Sequence, residues 1–285
     1  MNADQKPDFT ALSLPDPGDQ PALADFNQYL TGLKTEELLS WMVARFGGEM
    51  VFTTSLGAED QIILDKLQAL SLSDPAALAK GRPRLASLDT GRLPPETYDV
   101  LAADAARYPE WPITVYFPLA ESVQDLVNSQ GINLFRRSVE LRKACCAVRK
   151  VEPLGRALAE AKAWMSGLRR DQAPTRGELS PLAWDASHRV WKLSPLWDWT
   201  KSQVDAYLAG SDLPRNILHS QGFPSIGCAP CTRAVGTGED ERAGRWWWES
   251  PEHKECGLHQ DPLATGAKPT AKPSAWGIGS LGAGR

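Results

Sequence analysis

The stretch EMVFTTSLGAEDQIILDKLQAL, residues 49–70, decides the fold class. It begins with the β-prone run 49–54, continues through a Ser-Gly turn and ends with apolar residues at helical spacing, which are Ile62, Ile63, Leu64, Leu67 and Leu70. This order predicts a strand, a tight turn and a helix. The backbone N–H groups that begin such a helix, with the Ser55 hydroxyl, form a natural anion site. An ordinary capped turn explains the pattern equally well, and the GK[ST] ending of a nucleoside-triphosphate P-loop is missing.

Strand and helix signals alternate along the rest of the chain. The predicted strands are 84–88, 113–117, 163–167 and 189–193, and the predicted helices begin at Pro94-Pro95-Glu96 and cover 151–162. This alternation predicts an α/β fold with a mostly parallel sheet flanked by helices. Ligands of such sheets bind beyond the carboxyl ends of the strands. The polar loops SLGAEDQ, LDTGR and SGLRRDQ are therefore expected to meet at one edge.

These three loops supply candidate ligands for an anion. The residue types of LDTGR also suit an ordinary turn. The adjacent arginines of SGLRRDQ are harder to explain by packing, and guanidinium groups bind phosphate and sulfate oxygens in pairs. The candidate binding residues are Ser55, Gly57, Asp60, Asp89, Thr90, Gly91, Arg92, Gly167, Arg169 and Arg170.

The five cysteines are the most informative feature. Cys145 and Cys146 are adjacent, Cys228 and Cys231 form a CxxC pair, and Cys256 stands alone. An odd number argues against a fully paired disulfide framework. Two doublets and a single thiol indicate metal ligation and a reactive thiol in a reducing cytoplasm. Tetrathiolate zinc is an alternative, but directly adjacent ligands favour a larger iron–sulfur cluster.

Composition limits the other classes. The chain has 285 residues, 42% of them hydrophobic, which suffices for one large α/β domain. No apolar run is long enough to span a membrane, and the polar N-terminus does not resemble a secretory signal. A net charge of −4 gives no reason to expect nucleic-acid binding. We expect a disordered arm over 1–22, the α/β domain over 23–250, and a mobile C-terminal segment over 251–285.

The segment before that tail carries a second group of candidates. Arg242 and Arg245 lie three residues apart, so they share a face of a helical turn. Cys256 has His259 three residues further on, and basic neighbours convert a thiol into a nucleophile. An incidental surface thiol is the alternative for Cys256. The tryptophans 246–248 are expected to pack against the domain body. His188 and His219 lack such neighbours and are expected at the surface.

Together, several segments resemble the iron–sulfur branch of the phosphoadenylyl-sulfate reductase family, the assimilatory adenylyl-sulfate reductases. The segments are SLGAEDQ, LDTGRLPPETY, CCAVRKVEPL with the CxxC pair, SGLRRDQ, GEDERAGRWWWE and ECGLH. The resemblance covers about residues 25–260. It implies an adenine-nucleotide α-hydrolase-like fold, in which SLGAEDQ is a modified pyrophosphate loop.

The resemblance also implies a reaction. Adenylyl sulfate would be reduced to sulfite and AMP through an S-sulfocysteine, with thioredoxin or glutaredoxin as the reductant, in sulfate assimilation and cysteine biosynthesis. By the same resemblance, Cys145, Cys146, Cys228 and Cys231 would hold a [4Fe-4S] cluster. The catalytic set would be Cys256 as nucleophile, Lys150 between cluster and substrate, and Arg242, Arg245 and His259 around the sulfate and phosphate. Arg169 and Arg170 would belong to the arginine loop of the family.

Alternatives remain at this stage. The branch without a cluster, which prefers 3′-phosphoadenylyl sulfate, lacks both cysteine doublets, so the doublets favour the unphosphorylated substrate. An ATP-pyrophosphatase-type enzyme of the same fold would need a Ser-Gly-Gly-rich loop. A zinc-stabilised binding protein without catalysis is a second alternative, and the colour of the purified protein separates it from an iron–sulfur protein. The chain continues for 26 residues beyond that motif, a tail expected to hang free. The sequence is compatible with a homo-oligomer.

Overall fold

A six-stranded sheet forms the centre of the computed structural model, which describes residues 13–173 and 176–250. The strands are β1 (Met50–Thr54), β2 (Arg84–Leu88), β3 (Ile113–Tyr116), β4 (Ala163–Met165), β5 (Leu182–Asp185) and β6 (Val190–Leu193). Their order is β3-β2-β1-β4-β6-β5. All pairs are parallel except β5 with β6. The predicted mostly parallel sheet is confirmed.

Helices precede, connect and follow the strands of the sheet. They are α1 (Gln20–Thr31), α2 (Thr35–Phe46), α3 (Ala58–Ser73), α4 (Pro95–Arg107), α5 (Ala120–Gln130), α6 (Val139–Cys146), α7 (Glu152–Leu158) and α8 (Lys201–Ala209). Local chemistry sets several of their starts. Asp19 accepts a hydrogen bond from the Ala22 N–H at the start of α1, and Ser138 accepts one from the Leu141 N–H at the start of α6. Pro95 occupies the first position of α4, where its missing N–H costs nothing.

The predicted strands are close to the observed ones, with one omission. The predicted strand over 84–88 coincides with β2, whereas the one over 163–167 ends at Met165 and the helix over 151–162 is shortened to α7. Strand β5 was not predicted. Its sequence LAWD has little strand character of its own, and it forms by pairing with β6 at the sheet edge.

Apolar residues cover both faces of the sheet. The larger cluster joins α1, α2, α3 and α8 to one face, and includes Trp41, Phe52 and Ile63. A smaller cluster packs α7 against the other face, with Leu154 and Trp164 at its centre. The sheet is therefore a buried layer, and its carboxyl edge is where polar groups can gather.

The terminal segments were predicted only from composition. Of the predicted arm over 1–22, residues 20–22 belong to the first turn of α1, while 1–12 lie outside the described residues. The predicted C-terminal segment over 251–285, with Cys256 and His259, also lies outside them. Among the described helices, none combines the length and the apolar character that crossing a membrane requires.

A buried polar pair joins α3 to α4. Gln61 donates from Nε2 to Asp104 Oδ2 at 2.7 Å, and both side chains are almost fully buried. Gln61 Oε1 and Asp104 Oδ1 have no hydrogen-bond partner among the described residues. Burial raises the pKa of Asp104 from 3.8 to about 6. At neutral pH the Asp104 carboxylate is therefore ionised although it is buried, which lowers the stability of the folded protein.

We predict that Asp104→Asn stabilises the protein above pH 6. The asparagine amide can donate to Gln61 Oε1, and no charge is buried. With the folded-state pKa raised, the stability that this aspartate contributes is highest below pH 4 and falls as pH rises through about 4 to 6. The variant should gain about 2 kcal/mol near pH 8 and progressively less towards pH 4.

Urea unfolding at several pH values measures this difference. Asp99→Asn, an exposed position on α4, is the matched control and should show no such gain. A gain that does not depend on pH would contradict the assigned pKa.

Candidate active site

A cavity of about 220 Å³ opens at the carboxyl edge of the sheet. Its walls come from the ends of β1 and β2, the loop after β4, the start of α3, the α6–α7 connection and the segment after α8. All three predicted loops contribute to these walls, SLGAEDQ and SGLRRDQ with several residues each and LDTGR with Leu88 and Thr90. The predicted site residues on its wall are Ser55, Gly57, Asp60, Thr90, Lys150, Gly167, Arg242 and Arg245.

The turn between β1 and α3 is held by its own side chains. Ser55 donates both its N–H and its hydroxyl to Asp60 Oδ2, at 2.6 and 2.8 Å. Leu56, at φ 61°, donates its N–H to Thr54 Oγ1 at 2.9 Å. Burial raises the pKa of Asp60 to about 6, while the two bonds from Ser55 oppose that shift. Asp60 thus shapes the turn, and the first N–H groups of α3 border the cavity.

Gly167 permits the close contact between the β4 loop and α3. A Cβ atom at this position would lie 2.5 Å from Asp60 Oδ1 and 2.9 Å from Glu59 Cβ. Any side chain would therefore push the start of α3 away from the sheet edge. This packing therefore requires the glycine of SGLRRDQ. Gly167 lies on the cavity wall but has no side chain that could bind a ligand.

The four cysteines of the two doublets line a second, smaller cavity beside the first. Cys145 and Cys231 are buried, and burial raises the pKa of both thiols, that of Cys231 to about 12. Thr90 Oγ1 lies 3.2 Å from Cys228 Sγ. Within residues 13–173 and 176–250, no three His, Cys, Asp or Glu side chains are placed to hold a single metal ion.

Cations surround this cysteine cavity. It is lined by Arg92, Arg142, Arg149, Lys150 and Arg245. Of these, Lys150 and Arg245 line the large cavity as well, so they stand between the two. Lys150 lies in a π-helical turn, Ala147–Val151, that joins α6 to α7 directly after the cysteine pair. Such turns often occur at functional sites. A tetrathiolate group in this cavity would be partly neutralised by its neighbours.

The segment after Asp240 is tied to α6 through a buried ion pair. Arg142 donates from Nε and Nη2 to the two carboxylate oxygens of Glu249, at 3.0 and 2.8 Å. Both side chains are buried, with exposures of 0% and 3%. The Trp246 ring lies between two guanidiniums, since Arg142 Cζ and Arg245 Cζ are each 4.7 Å from its centroid. This stack fixes Arg245 at the boundary between the cavities, and it confirms that the tryptophan packs on the domain body.

The LDTGR loop borders both cavities. Asp89 accepts hydrogen bonds from the Gly91 N–H and the Tyr98 hydroxyl. Arg92 donates to the Ile132 carbonyl and Asn133 Oδ1, and lines the cysteine cavity. Of this loop, Leu88 and Thr90 line the large cavity.

The two arginines of SGLRRDQ are both placed away from the cavity surface. The Arg169 side chain has no exposed area and forms ion pairs with Glu59, Asp171 and Glu241. Arg170 is exposed, stacks on the Trp197 ring at 4.2 Å and donates to the Leu179 carbonyl. Neither lines the large cavity.

Sequence reasoning missed several residues of the wall. Arg176 lines the cavity and is hydrogen-bonded to Gln172 Oε1. His219, expected at the surface, also lines it, with Nδ1 2.9 Å from the Phe223 carbonyl and a buried Nε2. Arg176 follows the arginine pair closely and could have been included with it. His219 carried no local signal, because the turn after α8 brings it to the site.

Comparison with known proteins identifies this arrangement. The family model described as the phosphoadenosine phosphosulfate reductase domain matches residues 49–234. An adenosine 5'-phosphosulfate reductase of Allochromatium vinosum is 46% identical over 238 residues, covering 84% of this chain and 88% of the relative. The chain belongs to the phosphoadenosine phosphosulfate reductase family.

Two further members of this family are similar to the chain. An adenosine 5'-phosphosulfate reductase of Burkholderia cepacia is 46% identical over 227 residues, which is 78% of this chain and 86% of the relative. The crystal structure of phosphoadenylyl-sulfate reductase from Candida auris, a phosphate complex, has a TM-score of 0.62 and 30% identity, and covers 79% of this chain and 99% of that one. The predicted family and its adenine-nucleotide α-hydrolase-like fold are confirmed.

The buried ion pair behind Trp246 gives a stability prediction. Arg142→Met leaves the Glu249 carboxylate buried without its partner, so we expect a loss of about 3–5 kcal/mol in the free energy of unfolding. Adding Glu249→Met should recover much of that loss, because both charges are then gone. Urea denaturation followed by tryptophan fluorescence measures both variants.

Lys143→Met, at the exposed position next to Arg142, is the control and should change stability by less than about 0.5 kcal/mol. A double variant that is no more stable than Arg142→Met would show that packing around the guanidinium, and not charge, holds the segment.

Proposed function

We propose that this protein reduces adenylyl sulfate to sulfite and AMP. The observation that carries the proposal is the pair of neighbouring cavities. The large cavity is lined by the start of α3 and by cations, which can bind an anion. The cysteine cavity is lined by four thiols, and Lys150 and Arg245 line both cavities. The names of the two bacterial relatives, both adenosine 5'-phosphosulfate reductases, support the unphosphorylated substrate.

The large cavity suits the charged part of such a substrate. Adenylyl sulfate carries negative charge on both its phosphate and its sulfate group. Four cationic side chains line the cavity, which are Lys150, Arg176, Arg242 and Arg245. A guanidinium can bind two oxygens of a phosphate or sulfate group at once, in a bidentate contact. The start of α3 adds the positive end of a helix dipole. These groups would also offset the charge that builds up when an anionic nucleophile attacks an anionic substrate.

In the proposed reaction, Cys256 acts as the nucleophile. Its thiolate sulfur bonds to the sulfonyl sulfur, and the bond from that sulfur to the bridging oxygen breaks, so that AMP leaves with the electron pair. The product is an S-sulfocysteine. A dithiol of the thioredoxin or glutaredoxin class then attacks Cys256 Sγ, releasing sulfite and forming a mixed disulfide that its second thiol resolves. The dithiol is oxidised, and the sulfonyl group is reduced.

His259 completes the proposed set of residues near the reacting group. Like Cys256, it lies outside the described residues, and its role rests on the Cys-Gly-Leu-His motif. Lys150, Arg242 and Arg245 are proposed to contact the sulfate and phosphate oxygens. Ser55, Gly57 and Asp60 are proposed to form the turn that receives the nucleotide.

We also propose that Cys145, Cys146, Cys228 and Cys231 hold a [4Fe-4S] cluster. The residues fit such a group, because all four thiols line one cavity and five cations line the same cavity. When bound, the cluster would supply an anionic centre that shapes the local field and anchors the two halves of the site. The chain's own contribution is to supply thiolates and to place Lys150 and Arg245 beside them.

The metal content tests this proposal directly. Anaerobically purified wild type should contain iron and acid-labile sulfide in equal amounts, and Cys231→Ser should lose both. Cys256→Ser is the matched control and should retain them, since Cys256 is not a proposed ligand. Zinc without sulfide in the wild type would contradict the cluster and favour the tetrathiolate alternative.

The nucleophile is tested by covalent labelling. Wild type incubated anaerobically with adenylyl sulfate, radiolabelled in the sulfonyl group and without reductant, should retain the label. Cys256→Ser should retain none, and reduced thioredoxin should release the wild-type label as sulfite. Intact-mass analysis measures the added group.

Two outcomes would contradict the proposed reaction. Equal labelling of both proteins would mean that another group is the nucleophile. No labelling of wild type with full iron content would exclude this substrate, and labelling by 3′-phosphoadenylyl sulfate instead would reassign the preference.

A further inference from the structure

Two carboxylates stand on the wall of a cavity that is proposed to bind an anion. Glu59 is in the first turn of α3, and Glu241 directly precedes Arg242. Both line the large cavity, where an unmasked negative charge would repel the phosphate and sulfate groups of the substrate. Asp60, the third acid of the wall, is already bonded to the Ser55 N–H and hydroxyl.

Arg169 contacts both of these carboxylates from behind. Its Nε lies 2.7 Å from Glu59 Oε1, and its Nη2 lies 3.3 Å from each carboxylate oxygen of Glu241. Its Nη1 is shared between Asp171 Oδ2 and the Trp199 carbonyl, both at 3.4 Å. Every guanidinium nitrogen thus has a protein acceptor.

The position of Arg169 does not suit a direct ligand. Its side chain has no exposed area, and it is not part of the cavity wall. To reach an anion it would have to release Glu59 or Glu241, which would return a negative charge to the same site. Arg170, its neighbour, points to the Trp197 ring instead.

We propose that Arg169 is a positioning residue that masks Glu59 and Glu241, so that the large cavity accepts an anionic nucleotide. Its charge offsets the two carboxylates, and its hydrogen bonds engage Glu59 Oε1 and both carboxylate oxygens of Glu241. The bond to Glu241 also fixes the residue next to Arg242, which lines the same wall. The assignment rests on the proposed function for the identity of the anion.

The masking role predicts a loss that depends on ligand charge. In Arg169→Met the two carboxylates face the ligand unmasked, so the affinity for AMP should fall about tenfold or more. The affinity for adenosine, which has no phosphate, should change by less than about twofold. Arg169→Lys keeps the charge and should bind AMP within about threefold of wild type.

A second substitution separates masking from direct binding. In the Arg169→Met background, Glu241→Gln removes one of the two carboxylate charges that Arg169 no longer masks, so it should restore most of the AMP affinity. Isothermal titration calorimetry of the full-length chain with AMP and with adenosine measures wild type, the three variants at Arg169 and the control. Arg170→Met, next in sequence and away from the cavity, is the matched control and should bind AMP like wild type.

Each remaining outcome has a definite meaning. Equal losses for AMP and adenosine would overturn the masking role and assign Arg169 a structural one. A loss for AMP that Glu241→Gln does not recover would overturn it in favour of a direct contact. Wild type that binds neither compound would contradict the proposed function and, with it, this assignment.

Discussion

The close contact between the end of β4 and the start of α3 is the constraint on which the site depends. Strands β1 and β4 are neighbours in the parallel sheet, so the loops that follow them leave the sheet side by side. Gly167 lets these loops touch, and Asp60 locks the turn beside it through Ser55. The start of α3 is therefore held against the sheet edge, and the cavity forms above it.

Charge is the second constraint on this part of the molecule. The carboxyl edge gathers arginines and a lysine around two cavities, and two of the buried guanidiniums are paired with carboxylates. Arg142 is paired with Glu249, and Arg169 with Glu59 and Glu241. Pairing of this kind keeps desolvated cations tolerable and at the same time connects distant segments of the chain. These two arginines tie the segment 240–250 to the domain, in addition to backbone hydrogen bonds such as that from the Trp246 N–H to the Cys231 carbonyl.

The cations of this edge fall into two groups. Some line the cavities, and others are buried behind the cavity walls. Lys150 and Arg245 line both cavities, so any charge placed in one is felt by groups that border the other. Arg169 lies one layer deeper, where it acts on carboxylates. The deeper cation is paired with two acids, Glu59 and Glu241, that stand on the wall of the large cavity.

Local pattern in the sequence determined the alternating strands and helices, the parallel sheet and the edge at which its loops meet, because side-chain periodicity and turn chemistry act over a few residues. Cysteine spacing likewise indicated that the doublets act as one group, and the structure places all four thiols on one cavity. Tertiary structure alone decided which side of a loop faces the cavity. It placed Arg169 beneath the wall, turned Arg92 towards the cysteines, and brought His219 to the site. Those outcomes depend on contacts between residues far apart in the chain, as β5 does on β6, and no local pattern encodes them.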